Sequence, residues 1–309
     1  MSAAKGKRVS SSQGTSQDKK SRRQKRAARE RVASVAEEAA QPLNSKSGFY
    51  TREAYKTLRT NVTFSLAEKE GCKVVAVTSS LRGEGKSLTS TNLAISYAMA
   101  ERKVLLIDAD MRRPKLYRLL NLNADNGLSN VLLDPRKLSS AIQHLQTQQI
   151  DVLLAGNIPP NPSELLGSAR MDRLLEALKQ RYDYIIIDTP PVNMVTDAVV
   201  LAPKCDGVVF VVRSDVSERG AVLHALEQLE YVKAKVLGMV LNGVSSQTGG
   251  YGYGRYGRYG RYGRYGYGKY GYGKYGYGKY GYGYGYGYGY GYSSQEPAAQ
   301  TPESGQKTP

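Results

Sequence analysis

The chain has 309 residues, 40% of them hydrophobic, with a formal net charge of +17, a size that suits one large globular domain or two small ones. The charge is uneven: residues 1–33 carry 11 Lys/Arg against Asp18 and Glu30, residues 249–292 carry 7 Lys/Arg and no acid, and residues 34–248 are left at +2. A nearly neutral centre argues against a folded nucleic-acid binder. The absence of any run near the roughly 18–20 apolar residues of a membrane span, or of a secretory apolar core, predicts a cytosolic chain.

In chain order, residues 1–47 are predicted to form a disordered basic segment, because Ser, Gln, Lys and Arg without periodicity cannot offset the entropy of ordering. Its second half, Ser21 to Ala40, is rich in Ala, Arg and Glu and suited to become helical against an anionic surface or a partner. Between Phe49 and Lys69, apolar residues at Tyr55, Leu58, Val62 and Leu66 recur at helical steps and predict a helix with one buried face. Strands are predicted at 73–78, 104–107, near 150–154, and at 184–187, 207–212 and 236–241; helices at 88–102, 169–181 and 218–231. Apolar runs separated by helices of that length imply parallel strands covered on both faces. Residues 48–245 are therefore expected to form one α/β domain, a doubly wound and mostly parallel sheet.

Residues 246–309 are predicted to be a disordered tail. From Gly249 to Tyr292 the sequence repeats Tyr-Gly with inserted Arg or Lys and holds 18 of the 25 tyrosines; glycine so dense, with no aliphatic residue, builds no packed core.

The strand ending at Thr78 runs into Ser79-Ser-Leu-Arg-Gly-Glu-Gly-Lys-Ser87 and then a helix, the context in which a phosphate-binding loop presents backbone N–H groups at a helix N-terminus. Gly83 and Gly85 let the backbone approach phosphate oxygens, with Glu84 and Leu88 contributing to the cradle. Lys86 would reach the β- and γ-phosphates of ATP, and the Ser87 hydroxyl would ligate Mg²⁺. Ser80 breaks the strict GxxxxGK[ST] pattern, making the loop a deviant Walker A form. Asp108 and Asp110 follow one apolar strand and Asp188 another. Ligands of open parallel sheets sit beyond that edge, so all three carboxylates can converge on the metal and phosphates and, with Lys86, are the candidate catalytic groups; Mg²⁺ keeps several waters, so not every carboxylate need touch it. Any one aspartate could instead merely cap a helix. Asp108 and Asp110 are equally placed to take a proton from a tyrosine hydroxyl as the γ-phosphoryl moves.

Together, Glu53-Ala-Tyr-Lys-Thr-Leu-Arg-Thr-Asn61, the loop Thr78 to Ser87, Asp108-Ala-Asp-Met-Arg-Arg-Pro114, Asn161-Pro-Ser-Glu-Leu-Leu166 and Asp188-Thr-Pro-Pro191 resemble the bacterial tyrosine kinases of capsule and exopolysaccharide synthesis. The resemblance is to the form in which the kinase is separate from its transmembrane activator, and it covers about Phe49 to Val244. It implies a tyrosine kinase activated by the cytoplasmic segment of a membrane polysaccharide co-polymerase, and therefore peripheral to the inner face of the membrane. It also implies ring-like homo-oligomers through a helix motif that here reads Glu53, Lys56 and Arg59, where Lys56 replaces an arginine and weakens bidentate pairing. Asn242 looks like the family's adenine-contacting asparagine. The implied phosphoacceptors are Tyr251, Tyr253, Tyr256, Tyr259, Tyr262, Tyr265, Tyr267, Tyr270, Tyr272, Tyr275, Tyr277, Tyr280, Tyr282, Tyr284, Tyr286, Tyr288, Tyr290 and Tyr292.

The main competitor is the partition or division-site ATPase, a nucleotide-switched dimer on membrane or DNA; its KGGxGK[ST] loop has lysine where this chain has Leu81. A single-strand binder using the Arg, Gly and Tyr tail is a third reading; a tail tethered beside a kinase site, at high effective concentration, is better explained as substrate. Since each phosphate adds about −1.5 to −2 charge, roughly four would cancel the segment's +7 and release the tail from an anionic membrane. Cys72 and Cys205, without CxxC spacing, are expected as buried or half-buried thiols. His144 and His224, on predicted helices or their flanks, are given no catalytic role.

Overall fold

Strand β1 (Lys73–Ser79) is an interior strand of a seven-stranded sheet of order β3-β4-β2-β5-β1-β6-β7. It pairs in parallel with β5 (Tyr184–Asp188) on one side and β6 (Gly207–Arg213) on the other. Beyond β5 lie β2 (Val104–Asp108) and β4 (Ile150–Leu153), both parallel. Strand β3 (Ile142–Leu145) closes that edge antiparallel to β4, and β7 (Val236–Asn242) forms the other edge, parallel to β6. This is a computed structural model, and it describes residues 41–244. The expected basic segment as far as residue 40, and the tail with Tyr251 to Tyr292, lie outside the described residues.

Neighbouring strand residues face opposite sides, and both sides are covered. Val75, Val77, Leu106, Ile186 and Val209 pack with Leu93 and Tyr97 of α2 (Lys86–Ala98) and with Val62 of α1 (Phe49–Ser65). Val74, Leu105, Ile107, Ile185 and Ile187 turn the other way, onto Met171, Leu174, Leu175 and Leu178 of α7 (Ala169–Lys179). On that second face Ala76, Val208 and Phe210 meet Ala225 and Leu229 of α9 (Arg219–Tyr231). The doubly wound, mostly parallel fold follows. The predicted face of α1 is the buried one: Val62 and Leu66 are in the core, with Tyr55 and Leu58 packed against it.

Differences from the sequence-based expectation are local. Leu43 is 2% exposed, and its N–H donates to Asn92 Oδ1 at 2.8 Å, so packed chain reaches back past the expected boundary at residue 47. The antiparallel strand β3 was not expected, and it puts His144 on a strand rather than a helix or its flank. The short helices α3 (Leu116–Leu120), α4 (Leu128–Leu133), α5 (Leu138–Ala141), α6 (Pro162–Gly167) and α8 (Asp197–Leu201) were also not expected. Edge strand β7 is covered incompletely, leaving Met239 and Leu241 55% and 61% exposed. Among the described residues no helix is long and apolar enough to cross a membrane. Both cysteines are free, and burial pushes the Cys72 thiol up to about 11 and that of Cys205 to about 12, leaving them little thiolate near neutrality.

Candidate active site

The sheet order sets the site. Strands β1, β5 and β2 are neighbours, so the loop after β1 and the last residues of β5 and β2 share one rim. After Ser79 the chain turns through two left-handed glycines, Gly83 (φ 84°) and Gly85 (φ 97°), and enters α2 at Lys86. A Cβ at position 85 would lie 1.9 Å from Asn242 Nδ2, so a side chain there would have to displace that amide. Ser87 and Leu88 fall in the first turn of α2, where backbone N–H groups have no helical acceptor and are free for an anion.

Three carboxylates face that helix start. Asp108 and Asp188 end their strands as register partners. Lys86 is buried, with Nζ 3.3 Å from Asp110 Oδ2. Asp108 accepts the Asp110 N–H at 3.1 Å through Oδ1 and the Leu116 N–H at 3.3 Å through Oδ2. Asp110 accepts the Arg113 N–H at 3.1 Å through Oδ1. Asp188 is 0% exposed and neither of its oxygens has a hydrogen-bond partner, although the Ser87 and Ser90 hydroxyls lie close enough to lower its proton affinity.

The electrostatics follow from burying three acids around one base. Burial, then the Asp188 and Asp110 charges, holds the Asp108 carboxyl well above the usual carboxylate range. Burial also raises Asp188, against the pull of Lys86. Burial alone would push the Lys86 ammonium down, but the Asp188, Asp110 and Asp108 charges outweigh it and leave its pKa raised. A buried carboxylate with both oxygens unpartnered is costly unless a cation joins it. Asp188, with Ser87 beside it, fits Mg²⁺, which takes few protein ligands and keeps waters and phosphate oxygens. Among the described residues no three His, Cys, Asp or Glu side chains form a ready cage, so those non-protein ligands would carry much of the coordination.

Residues 72–237 match the AAA domain family. "Tyrosine-protein kinase YwqD" of Bacillus subtilis is 42% identical over 202 residues, spanning 65% of this chain and 85% of that protein. The solved kinase domain of Escherichia coli tyrosine kinase ETK is 36% identical, covers 66% of this chain and 80% of its own, and superposes with a TM-score of 0.61. The chimerical protein CapA2B2 is 39% identical, with coverages of 60% and 82% and a TM-score of 0.57. The chain belongs to the bacterial tyrosine kinase family.

Asn242, last in β7, donates Nδ2 to the Glu84 carbonyl at 3.1 Å and accepts the Gly243 N–H at 2.8 Å, so its amide is held against the phosphate loop. Glu53 and Lys56 pair within α1 at 2.6 Å, while Arg59 donates to the Ser96 carbonyl of α2. All three motif residues therefore have partners inside the chain. His144 bonds Asp151 at 2.7 Å at the edge formed by β3, and His224 lies on α9; neither joins the carboxylates described above.

Sequence reasoning missed two supports of the site. Arg112 grips the fully buried Asp197 through Nε and Nη2, each at 2.9 Å, and Ser163 donates to the same carboxylate. This ties the Asp108–Pro114 loop to α8 and α6. The other is Arg213, whose Nη1 donates to the Gly83 carbonyl at 2.7 Å. Arg112 lay within a recognised motif, but Asp197 and Arg213 carry no pattern that singles them out.

Proposed function

We propose that this chain is an ATP-dependent protein-tyrosine kinase that phosphorylates the tyrosines Tyr251 to Tyr292 of neighbouring copies, and that it regulates capsule or exopolysaccharide synthesis or export. One observation carries the reading: a wholly buried Asp188 with two unpartnered oxygens, in register with Asp108 and acting electrostatically on Lys86. Such an arrangement is costly by itself and would be relieved by a magnesium-bound triphosphate. When bound, Mg²⁺ would neutralise charge on the phosphates; Ser87, Asp188 and Asp108 are the residues that would hold it. Lys86 would orient the phosphoryl group by point charge, and the Gly83–Leu88 backbone would fix the phosphates.

A tyrosine hydroxyl, with a pKa of about 10, must lose its proton as it attacks. Asp108 has the raised proton affinity that suits an acceptor, but both of its oxygens already hold backbone N–H groups. Asp110 is the less buried of the two. Single replacement of each by Asn, with rates followed against pH, assigns the role.

The family relation supports a transmembrane co-polymerase-type partner whose cytoplasmic segment activates the kinase, membrane association through it, and assembly into rings. The deciding experiment incubates the full chain with Mg-ATP and maps phosphotyrosine by mass spectrometry, beside Lys86→Ala. The expected result is phosphate on Tyr251 to Tyr292, absent from the variant. ATP hydrolysis without phosphotyrosine, even with an activator segment present, would favour the partition-type ATPase.

A further inference from the structure

Where the strict phosphate-loop pattern has its first glycine this chain has Ser80, and four residues on stands Glu84, an acid inside an anion-binding loop. The two are joined. Glu84 sits between left-handed Gly83 and Gly85, yet it is only 1% exposed. Its carboxylate is folded under the loop: Oε1 accepts the Ser80 hydroxyl and Oε2 the Leu81 N–H, each at 2.7 Å. A third donor comes from outside the loop, the Ser217 hydroxyl in the turn between β6 and α9, which also bonds Oε1. Ser217 is itself fixed, its Oγ accepting the Arg213 N–H at 2.8 Å and its own N–H donating to the Arg213 carbonyl at 2.9 Å.

We propose that Glu84 is a positioning residue of the nucleotide site, and that its bond to Ser217 makes the β6–α9 turn a working part of the phosphate loop. The inference rests on the nucleotide-binding reading of that loop. A segment with two left-handed glycines has many conformations to lose on binding; holding it in the bound shape beforehand removes that cost from the affinity. An acid beside phosphates would by itself repel them. Here the charge is spent on three donors, none of them a backbone N–H of residues 85–88. The Arg213 bond to the Gly83 carbonyl and the Asn242 bond to the Glu84 carbonyl hold the same turn through its carbonyls.

Because the role is preorganisation, its loss should appear in nucleotide affinity and in KM for ATP, with kcat changed little. The test titrates the full chain with MgADP by calorimetry and measures ATP kinetics for Glu84→Ala, Glu84→Gln, Ser217→Ala and the Ala/Ala double variant. Hydrogen bonds to a charged group are strong enough that Glu84→Ala should weaken MgADP binding by about tenfold or more, and Ser217→Ala by about three- to tenfold. The double variant should bind within about twofold of Glu84→Ala, since both remove one network. Glu84→Gln should recover most of the loss, because its amide can donate to the two hydroxyls, which turn to accept, while its carbonyl keeps the Leu81 N–H.

Affinities within about twofold of the parent for both alanine variants, a fall in kcat at unchanged KM, or a glutamine no better than alanine would each overturn the proposal. Should Glu84→Ala fail to fold, Ser217→Ala, a change in a half-buried turn, decides alone. Lys86→Ala separates the two levels of inference. If it abolishes MgADP binding while the Glu84 and Ser217 variants bind normally, the nucleotide site stands and the latch falls; a parent chain that does not bind MgADP removes both.

Discussion

Replacing Asp188 by Asn should make the empty protein more stable and the loaded protein less so. The three carboxylates Asp108, Asp110 and Asp188 surround one ammonium, Lys86, so the empty site holds a buried excess of negative charge. Adjacent strands lie about 4.8 Å apart, so the register-paired Asp108 and Asp188, when both are ionised, would repel by about 3 kcal/mol at an effective dielectric of about 20, a cost that the raised pKa of Asp108 partly sheds by protonation. The attraction between Asp188 and Lys86 offsets a similar amount, and the desolvation of a fully buried carboxylate remains. An amide of the same shape removes that remainder, a gain of about 1–3 kcal/mol, or about 2–10 °C in Tm for a domain of this size. The sign with pH is fixed by the raised pKa: the parent's deficit is present above it and vanishes as pH falls below about 4, where the carboxylate is protonated in both states. The assay is thermal unfolding in chelator at neutral and acid pH, repeated with Mg-nucleotide. Nucleotide at one hundred times its Kd should stabilise the parent by about 2.7 kcal/mol and the variant by much less. An Asp188→Asn protein that melts below the parent in chelator, or gains as much from Mg-nucleotide, would refute the argument.

Four further outcomes can be measured directly. Gly85→Ala should cost about 1–3 kcal/mol in urea unfolding and most of the MgADP affinity, because φ 97° is left-handed and the added Cβ meets Asn242 at 1.9 Å. Arg112→Ala should cost about 3 kcal/mol, since it strands the buried Asp197 that Arg112 grips at 2.9 Å through two nitrogens; a loss under about 1 kcal/mol in the same assay would show that Ser163 suffices. Phenylalanine at all 18 tail tyrosines should abolish autophosphorylation and leave ATP hydrolysis intact. In the parent, binding to anionic vesicles should fall after autophosphorylation, and equal binding before and after would end the charge-switch idea.

The fold was legible wherever a residue pattern was long enough to have a period. Runs such as Val104-Leu-Leu-Ile107 and Tyr184-Ile-Ile-Ile187 are buried along their whole length in parallel strands, because both sheet faces are covered and no polar alternation is required. Ile142–Leu145 has no such run. It holds Gln143 and His144 on an antiparallel edge, and only Leu145 is buried, so local sequence contains almost nothing that distinguishes it from a loop. Helices of four to six residues such as Leu138–Ala141 and Asp197–Leu201 complete barely a turn, and their placement is decided by tertiary packing that periodicity cannot register.

The site divides along a similar line. Lys86, Asp108, Asp110 and Asp188 were legible because each follows an apolar strand, and strand ends in a parallel sheet share one rim. What holds them was not, because those partners are separated by sequence distances with no fixed spacing: Arg112 with Asp197, Glu84 with Ser217, Gly83 with Arg213. Two of these three ties reach the phosphate loop from β6 and the turn after it, and Asn242 adds one from β7. The loop is therefore shaped by the strands on the opposite side of β1 from the carboxylates. In this arrangement one half of the sheet supplies the charges and the other half holds the backbone that must face them. A perturbation on the β7 side has a direct mechanical route to nucleotide affinity, although it touches neither the lysine nor any of the three acids.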